Sequence, residues 1–288
     1  MPWVEASIEV DREAAEAVAE VLSRYAHQGV AIEIAPEAEG PVIVRAYLES
    51  DDDLWQTKQA VRQALWHLDH IWSIPELTFR PIPEEDWTEA WKDHMSVLHV
   101  GERIVIHPSW LDYDPTPNEV LIQLDPGMAF GTGLHPTTQL SLEAIERALT
   151  PGDEVLDIGT GSGILAIAAA KLGAGRVYAV DNDAQAVEIA RENAVANGVI
   201  DAVDLACGSL ERVTGTYPLV VVNILAHVIR RMLEQGLGAC VKAGGTLIAT
   251  GIMDEQASDV VGAMERQGLT LVERHQRGDW VSLIATRA

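Results

Sequence analysis

Glu154-Val-Leu-Asp-Ile-Gly-Thr-Gly-Ser-Gly-Ile-Leu-Ala-Ile-Ala-Ala-Ala170 decides the reading of this 288-residue chain. Val155, Leu156 and Ile158 form the short apolar run of a buried strand. Glycines follow at every second position, Gly159, Gly161 and Gly163, and then an Ala- and Leu-rich segment, Ile164 to Leu172, with strong helix propensity. The unit is strand, glycine turn, helix. Glycine gives the turn unusual φ/ψ angles and lets a ligand approach the backbone closely. The helix start behind it offers unpaired N–H groups and the positive end of a dipole, which favours an anionic or polar ligand.

Arg176-Val-Tyr-Ala-Val180 reads as a second strand and ends in Asp181, 22 residues after Gly159. An acid at that strand tip is placed to accept both hydroxyls of a nucleoside ribose. The plainer alternative is a cap for the helix Ala184–Ala196, with Asn182 and Asp183 beside it; the ordered strand, loop and acid favour ribose binding. A dinucleotide fold wants G-x-G-x-x-G. Here the spacing is Asp157-x-Gly159-x-Gly161-x-Gly163, which resembles the first motif of class I S-adenosylmethionine-dependent methyltransferases.

Further strands continue the pattern. Val203–Cys207 is a third, ending at Gly208-Ser209, where this fold places a nucleoside base. Leu219–Asn223 is almost wholly apolar and ends in a polar residue, as a buried parallel strand does, with ligands at its carboxyl end. Asn223 is therefore expected in the same crevice as Gly159 and Asp181, as a cofactor or substrate contact rather than a cap for the helix Ala226–Gly236. Gly245–Thr250 is a fifth strand, and Leu269–Arg274 with Trp280–Ala285 read as a closing antiparallel hairpin around Gln-Arg-Gly-Asp.

Upstream, residues 3–10, Ala31–Ile34, Val42–Leu48 and Leu77–Arg80 read as strands, with helices at Arg12 to Ala26 and Leu54 to His70. The order β-α-β-β-α-β suggests an α+β ferredoxin-like domain over residues 1–80. It holds 15 Asp/Glu against 6 Lys/Arg, which suits recognition of a basic partner and suits a solvated acidic surface equally. Pro81-Ile-Pro83 is expected to break the chain. Residues 81–95 then hold a short connector helix, Glu84–His94, with Trp87 and Trp91 four apart on one face. In the third segment, 96–288, Arg103–His107 and Val120–Leu124 read as strands at the domain edge. Asp125-Pro-Gly-Met-Ala-Phe-Gly-Thr-Gly-Leu-His-Pro-Thr-Thr138 is a glycine-bearing loop that is a candidate lid or substrate wall, with Thr137 or Thr138 capping the helix that runs to Leu149.

A net charge of −24, from 20 basic and 44 acidic residues, argues against general binding to nucleic acid or to anionic membrane. It suits a basic protein partner, and a salt-adapted host gives the same bias. Cys207 and Cys240 lie far apart in no metal spacing and are expected as core thiols in a reducing compartment. The N-terminus has neither a basic nor an apolar targeting region, and no stretch approaches a membrane span, so the expectation is a cytoplasmic protein.

Three segments narrow the resemblance beyond the glycine loop. The 125–138 loop, the Asp157-to-Lys171 motif and Asn223-Ile-Leu-Ala226 are similar to the corresponding motifs of the ribosomal protein L-eleven methyltransferase family (PrmA). Glu85-Asp-Trp-Thr-Glu-Ala-Trp91 and Gly278-Asp-Trp280 resemble it too. Residues 1–80 match only in layout. The resemblance implies a class I Rossmann-like α/β domain with a terminal hairpin, and a ferredoxin-like domain that binds the substrate. It implies S-adenosyl-L-methionine as cofactor and methyl transfer to lysine ε-amines and the N-terminal α-amine of a large-subunit ribosomal protein, by a monomer. Carried over by position, the cofactor contacts fall on Thr138, Gly159, Asp181 and Asn223, with Gly161 and Ser209 as additions. Asn223 is the expected catalytic residue, orienting the amine; no dedicated base stands out, and His135 is the one candidate.

Two enzyme classes compete with this reading. A dehydrogenase predicts G-x-G-x-x-G and a second mononucleotide half, and neither is visible. A nucleic-acid base methyltransferase carries Asn/Asp-Pro-Pro-aromatic after strand four, where this chain has Asn223-Ile-Leu-Ala226. A third alternative is a scaffold that keeps the cofactor fold without catalysis, against which stand the intact glycine loop, Asp181 and Asn223.

Overall fold

The computed structural model describes residues 3–10, 12–23, 25–26, 30–34, 42–49, 54–68, 74–75, 77–82, 97–125 and 133–288. The connector helix expected at 84–94, residues 126–132 of the glycine-bearing loop and the turn before Val42 lie outside the described residues. The chain divides into two compact units, Met1–Met95 and Ser96–Ala288.

In the first unit, strands β1 (Trp3–Val10), β2 (Val30–Ile34), β3 (Val42–Glu49) and β4 (Thr78–Ile82) form an antiparallel sheet in the order β2-β3-β1-β4. Period-two alternation sorts its faces. Val4, Ala6, Ile8 and Val10 are buried together with Val42, Val44, Ala46 and Leu48. All but Val4 share a core with Ala15, Val18 and Leu22 of helix α1 (Arg12–Ser23) and with Val61 and Leu65 of helix α2 (Leu54–Leu68). On the alternate register Glu5 accepts from Arg45 at 2.8 Å. Pro81 does not break the strand as expected. It lies within β4 opposite Val4, and β4 is the sheet's edge, where a missing N–H has a side with no partner strand.

The second unit contains two sheets. Strands β5 (Leu98–Val100), β6 (Ile104–His107) and β7 (Val120–Gln123) make a sheet of their own, order β5-β6-β7. The expected domain-edge strands are thus joined by a third, too short to announce itself by alternation. The seven-stranded sheet has the order β10-β9-β8-β11-β12-β14-β13. Its members are β8 (Glu154–Ile158), β9 (Arg176–Asp181), β10 (Val203–Cys207), β11 (Tyr217–Asn223), β12 (Val241–Met253), β13 (Leu269–Arg277) and β14 (Trp280–Arg287). The first five run parallel, and β14 pairs antiparallel with both β12 and β13.

Helices cover both faces. Val155, Val177 and Val221 pack with Leu142 of α3 (Pro136–Ala148), Ile167 of α4 (Ile164–Lys171) and Ala194 of α5 (Ala184–Ala196). Leu156, Val220 and Val222 pack with Ile229 of α6 (Ala226–Glu234) and Val260 of α7 (Ala257–Arg266) on the other side. Successive β11 residues therefore serve opposite cores, which is why that strand is apolar throughout. The chain winds from β8 to β9 in one direction, while β11 lies on the other side of β8, so the strand order reverses between β8 and β11. Such a switch point opens a crevice at the strands' carboxyl ends. Of the two thiols expected in the core, Cys207, at the end of edge strand β10, is exposed, while Cys240 is part-buried and packs against the core. No helix among the described residues is long and apolar enough to cross a membrane.

Candidate active site

The floor of the crevice is backbone. Gly159, Gly161 and Gly163 have φ of +77°, +56° and +82°, the left-handed region that side chains resist. Gly159 and Thr160 donate their N–H groups to the Val180 carbonyl at 2.8 and 3.1 Å, which fastens the loop to β9. A Cβ on Gly159 would sit 2.5 Å from Ile224 Cγ2. On Gly163 it would lie 3.2 Å from the Ala190 Cα, so this glycine lets α4 and α5 pack closely.

Asp181 closes β9. Its Oδ2 accepts from Gly161 N–H at 2.9 Å and its Oδ1 from Asp183 N–H at 3.0 Å. The carboxylate is thus held in one orientation with acceptor capacity left on both oxygens. Capping of α5 belongs instead to Asp183, which accepts from Gln185 N–H. One turn below the floor, Asp157 is 1% exposed. Its Oδ2 accepts from the Thr160 hydroxyl at 2.7 Å, and its Oδ1 lacks a close partner among the described residues. Burial raises its pKa to about 7; the Thr160 hydroxyl opposes that, the Asp181 charge adds to it, and the nearby Ala166 N–H opposes it.

Asn223 ends β11, opposite Thr250 in the register, and is 9% exposed. It does not cap α6: the cap position is Leu225, without a side-chain bond. Its carboxamide forms no hydrogen bond with another described residue, so its donor and acceptor remain for a ligand. Gly251 continues from Thr250 with φ +80°, and a Cβ there would lie 2.2 Å from the Ile224 carbonyl oxygen.

The opposite wall comes from elsewhere in the chain. His135 caps α3, with Pro136 as the first helical residue. Its Nδ1 accepts the Thr137 N–H at 3.3 Å and lies 2.7 Å from the Thr137 hydroxyl. An accepting Nδ1 puts the proton of the neutral ring on Nε2, and burial holds the imidazole below its usual pKa. His135 thus caps α3 with its Nδ1 lone pair engaged by Thr137. Its ring meets Trp280 of the terminal hairpin edge to face, with centroids 5.0 Å apart.

Together these elements line a cavity of about 450 Å³. Of the residues singled out from the sequence, Gly159, Gly161, Asp181, Ser209 and Asn223 line it. Thr138 does not; Thr137 takes that place, and Thr138 is fully buried behind it with its hydroxyl lacking a partner among the described residues. The apolar side, Ile224, Leu225, Val228 and Met232, was not anticipated, nor were Gly251 and Trp280. A glycine directly after the fifth strand was a usable signal for Gly251. The hydrophobic spacing of α6 pointed to burial in general, not to a cavity.

Known proteins resemble this chain over nearly its whole length. A family model described as ribosomal protein L11 methyltransferase (PrmA) matches residues 2–288. A ribosomal protein L11 methyltransferase from Chloroflexus aurantiacus is 44% identical over 322 residues, covering 99% of this chain and 98% of that protein. One from Herpetosiphon aurantiacus is 41% identical, covering 98% of each. Among solved structures, a ribosomal protein L11 methylase from Lactobacillus delbrueckii subsp. bulgaricus is 37% identical with a TM-score of 0.63, covering 67% of this chain and 99% of that one.

Proposed function

The chain belongs to the ribosomal protein L11 methyltransferase family, and from that premise we propose that it transfers methyl groups from S-adenosyl-L-methionine to lysine ε-amines and the N-terminal α-amine of that ribosomal protein. One observation carries the reading. A pre-oriented carboxylate, a left-handed glycine loop and a carboxamide without a hydrogen-bond partner among the described residues meet at adjoining strand ends in one cavity.

The residues present suit that cofactor. Asp181 offers oriented acceptors for a ribose, the backbone at Gly159 and Gly161 offers a cradle with no side chain to fill it, and Ser209 stands at the third strand's end. The orphaned Thr138 hydroxyl is one further donor behind the wall. When bound, S-adenosyl-L-methionine supplies a methyl group already activated by its sulfonium. The protein's task is then placement and drying. Asn223 orients the amine by accepting its N–H through the carboxamide oxygen. Ile224, Leu225, Val228, Met232 and Trp280 keep water from the pair. A free lysine titrates near roughly 10.4, so the neutral nucleophile is scarce at neutral pH, and a dry apolar wall lowers that value. Orientation of this kind supplies up to roughly 7–11 kcal/mol in well-aligned systems.

The first unit's antiparallel order with two helices supports reading residues 1–80 as a ferredoxin-like recognition module, followed by a connector over 81–95. Its 15 acidic against 6 basic residues suit a basic ribosomal protein. The protein acts, on this reading, as a cytoplasmic monomer.

The test uses purified protein, labelled S-adenosyl-L-methionine and ribosomal proteins from a strain lacking this chain, with products resolved by mass. Methyl groups on one large-subunit protein, at its lysines and N-terminus, are expected. Label on RNA, or cofactor binding without transfer to any protein, overturns the reading. Asn223→Ala is expected to lower kcat about 100-fold while the fold persists, as loss of an orienting contact does. Near-normal turnover in a folded variant removes Asn223 from that role.

A further inference from the structure

Helix α3 turns Gln139, Glu143 and Arg147, spaced four apart, toward strand β13, whose Glu273, His275 and Arg277 are spaced two apart. The two rows pair. Arg277 Nη2 donates to Glu143 Oε1 at 2.7 Å, and Arg277 Nη1 to Gln139 Oε1. Arg147 Nε stands 4.0 Å from Glu273 Oε2. The seam between helix and hairpin is therefore polar and partly open to water.

Gln139 differs from the others. Its carboxamide oxygen accepts from Arg277, while its Nε2 donates to the Leu134 carbonyl at 3.0 Å. Leu134 directly precedes His135, and Arg277 is the hairpin partner of Trp280 in the β13–β14 register. His135 and Trp280 in turn touch across the cavity wall. The path is closed: Leu134 to His135, across the rings to Trp280, across the strand pair to Arg277, and through Gln139 back to Leu134.

We propose that Gln139 and Arg277 are positioning residues for the transfer reaction, forming a hydrogen-bond relay that sets the His135 and Trp280 side of the cavity. Neither reaches the cavity itself. The Gln139 carboxamide serves both ends of the relay, because it accepts from a guanidinium at one end and donates to a carbonyl at the other. The effect on turnover rests on the reading of the site as a methyltransferase centre; the effect on the wall does not.

Gln139→Glu tests this in the full-length protein. The new carboxylate keeps Arg277 and binds it at least as well, so the hairpin stays anchored, but it has no donor for the Leu134 carbonyl. Thermal melting is expected to be unchanged within about 2 °C, while kcat falls about 10-fold and the Kd for S-adenosylhomocysteine by calorimetry stays within about 2-fold. The His135 ring resonance, assigned by its loss in His135→Gln, is expected to shift as its position over Trp280 changes. Glu143→Gln breaks the neighbouring ion pair but leaves the relay, and is expected to leave both kcat and that resonance in place. Equal effects of the two substitutions would reduce the seam to simple anchoring and overturn the proposal. So would a Gln139→Glu protein with wild-type turnover and an unmoved resonance. If the wild-type protein transfers no methyl group, the resonance alone decides: a shift in Gln139→Glu and none in Glu143→Gln upholds the relay.

Discussion

The glycine floor of the cavity and its aromatic wall are held by different forces. Around Gly159 and Gly251 the backbone passes so close to Ile224 that an added Cβ would lie 2.5 and 2.2 Å from it. Excluded volume sets both positions: at Gly251 the neighbour is the Ile224 carbonyl oxygen, which cannot yield without moving a strand end, and at Gly159 it is the Ile224 Cγ2 methyl. The His135 and Trp280 wall joins residues distant in the chain through one ring contact and a polar seam. Hydrogen bonds at a part-exposed seam exchange with water and are individually weak. A rigid floor suits a ligand of constant shape, as the proposed cofactor is. An adjustable wall suits acceptor amines of differing surroundings, as the proposed substrate presents.

The largest expected effect breaks the floor. Gly251→Ala sets a side chain in the left-handed region and drives it into a backbone oxygen that cannot rotate away. The conformational part costs about 1–2 kcal/mol, and displacement of the β12 end brings the expected loss to about 5 kcal/mol. Gly244→Ala separates the two parts. Gly244 has φ +75° but nothing within 4 Å of its would-be Cβ, so only the conformational part, about 1 kcal/mol, is expected. Chemical denaturation of both variants measures the difference. Equal losses would mean that φ, not close approach, fixes the floor.

The same contrast explains what could be read from the sequence. The floor arises from the contiguous unit Glu154 to Asp181, where strand, glycine spacing and terminal acid are all local signals, and Asn223 follows from strand-end logic. Helix caps were less legible. Thr137 and Thr138 have the usual capping chemistry, yet His135 caps because Pro136 occupies the first helical position. Pro81 looked like a break because nothing local says that β4 is an edge strand. Cys207 looked like a core residue because cysteine usually is one. Trp280 was visible only as part of a motif; its place in the wall depends on which strand β14 pairs with and which helix it faces, and a single sequence does not encode that pairing as a local pattern.

An intermediate effect lies beneath the floor. The folded Asp157 titrates near 7, against 3.8 for the ordinary carboxyl, because burial disfavours its charge. The folded state therefore holds its proton more tightly than the unfolded chain does. Stability from this group is fully present below pH 3.8 and declines as pH rises toward and through 7. The span is worth about 4 kcal/mol. Asp157→Asn cannot titrate, so its stability relative to wild type should improve by about that amount between pH 4 and pH 8. Other ionisable groups cancel in the comparison. A constant difference across that range would show that Asp157 keeps its charge, and that water reaches beneath the floor.

The smallest effect concerns the wall. Trp280→Leu keeps an apolar side chain but removes the edge-to-face contact with His135, a kind of pair worth about 0.5–1.5 kcal/mol beyond its buried area. The floor is untouched, so affinity for S-adenosylhomocysteine should change less than about 3-fold. Burial is the cause of the depressed His135 pKa, and a smaller neighbour admits water, so that pKa should move up toward its ordinary value. Titration of the His135 resonance reads this directly. Trp280→Phe retains an aromatic partner and should fall between wild type and Trp280→Leu. If instead Trp280→Leu weakens cofactor binding as severely as a floor substitution, the two sides of the cavity are one cooperative structure, and the division between a steric floor and an adjustable wall fails.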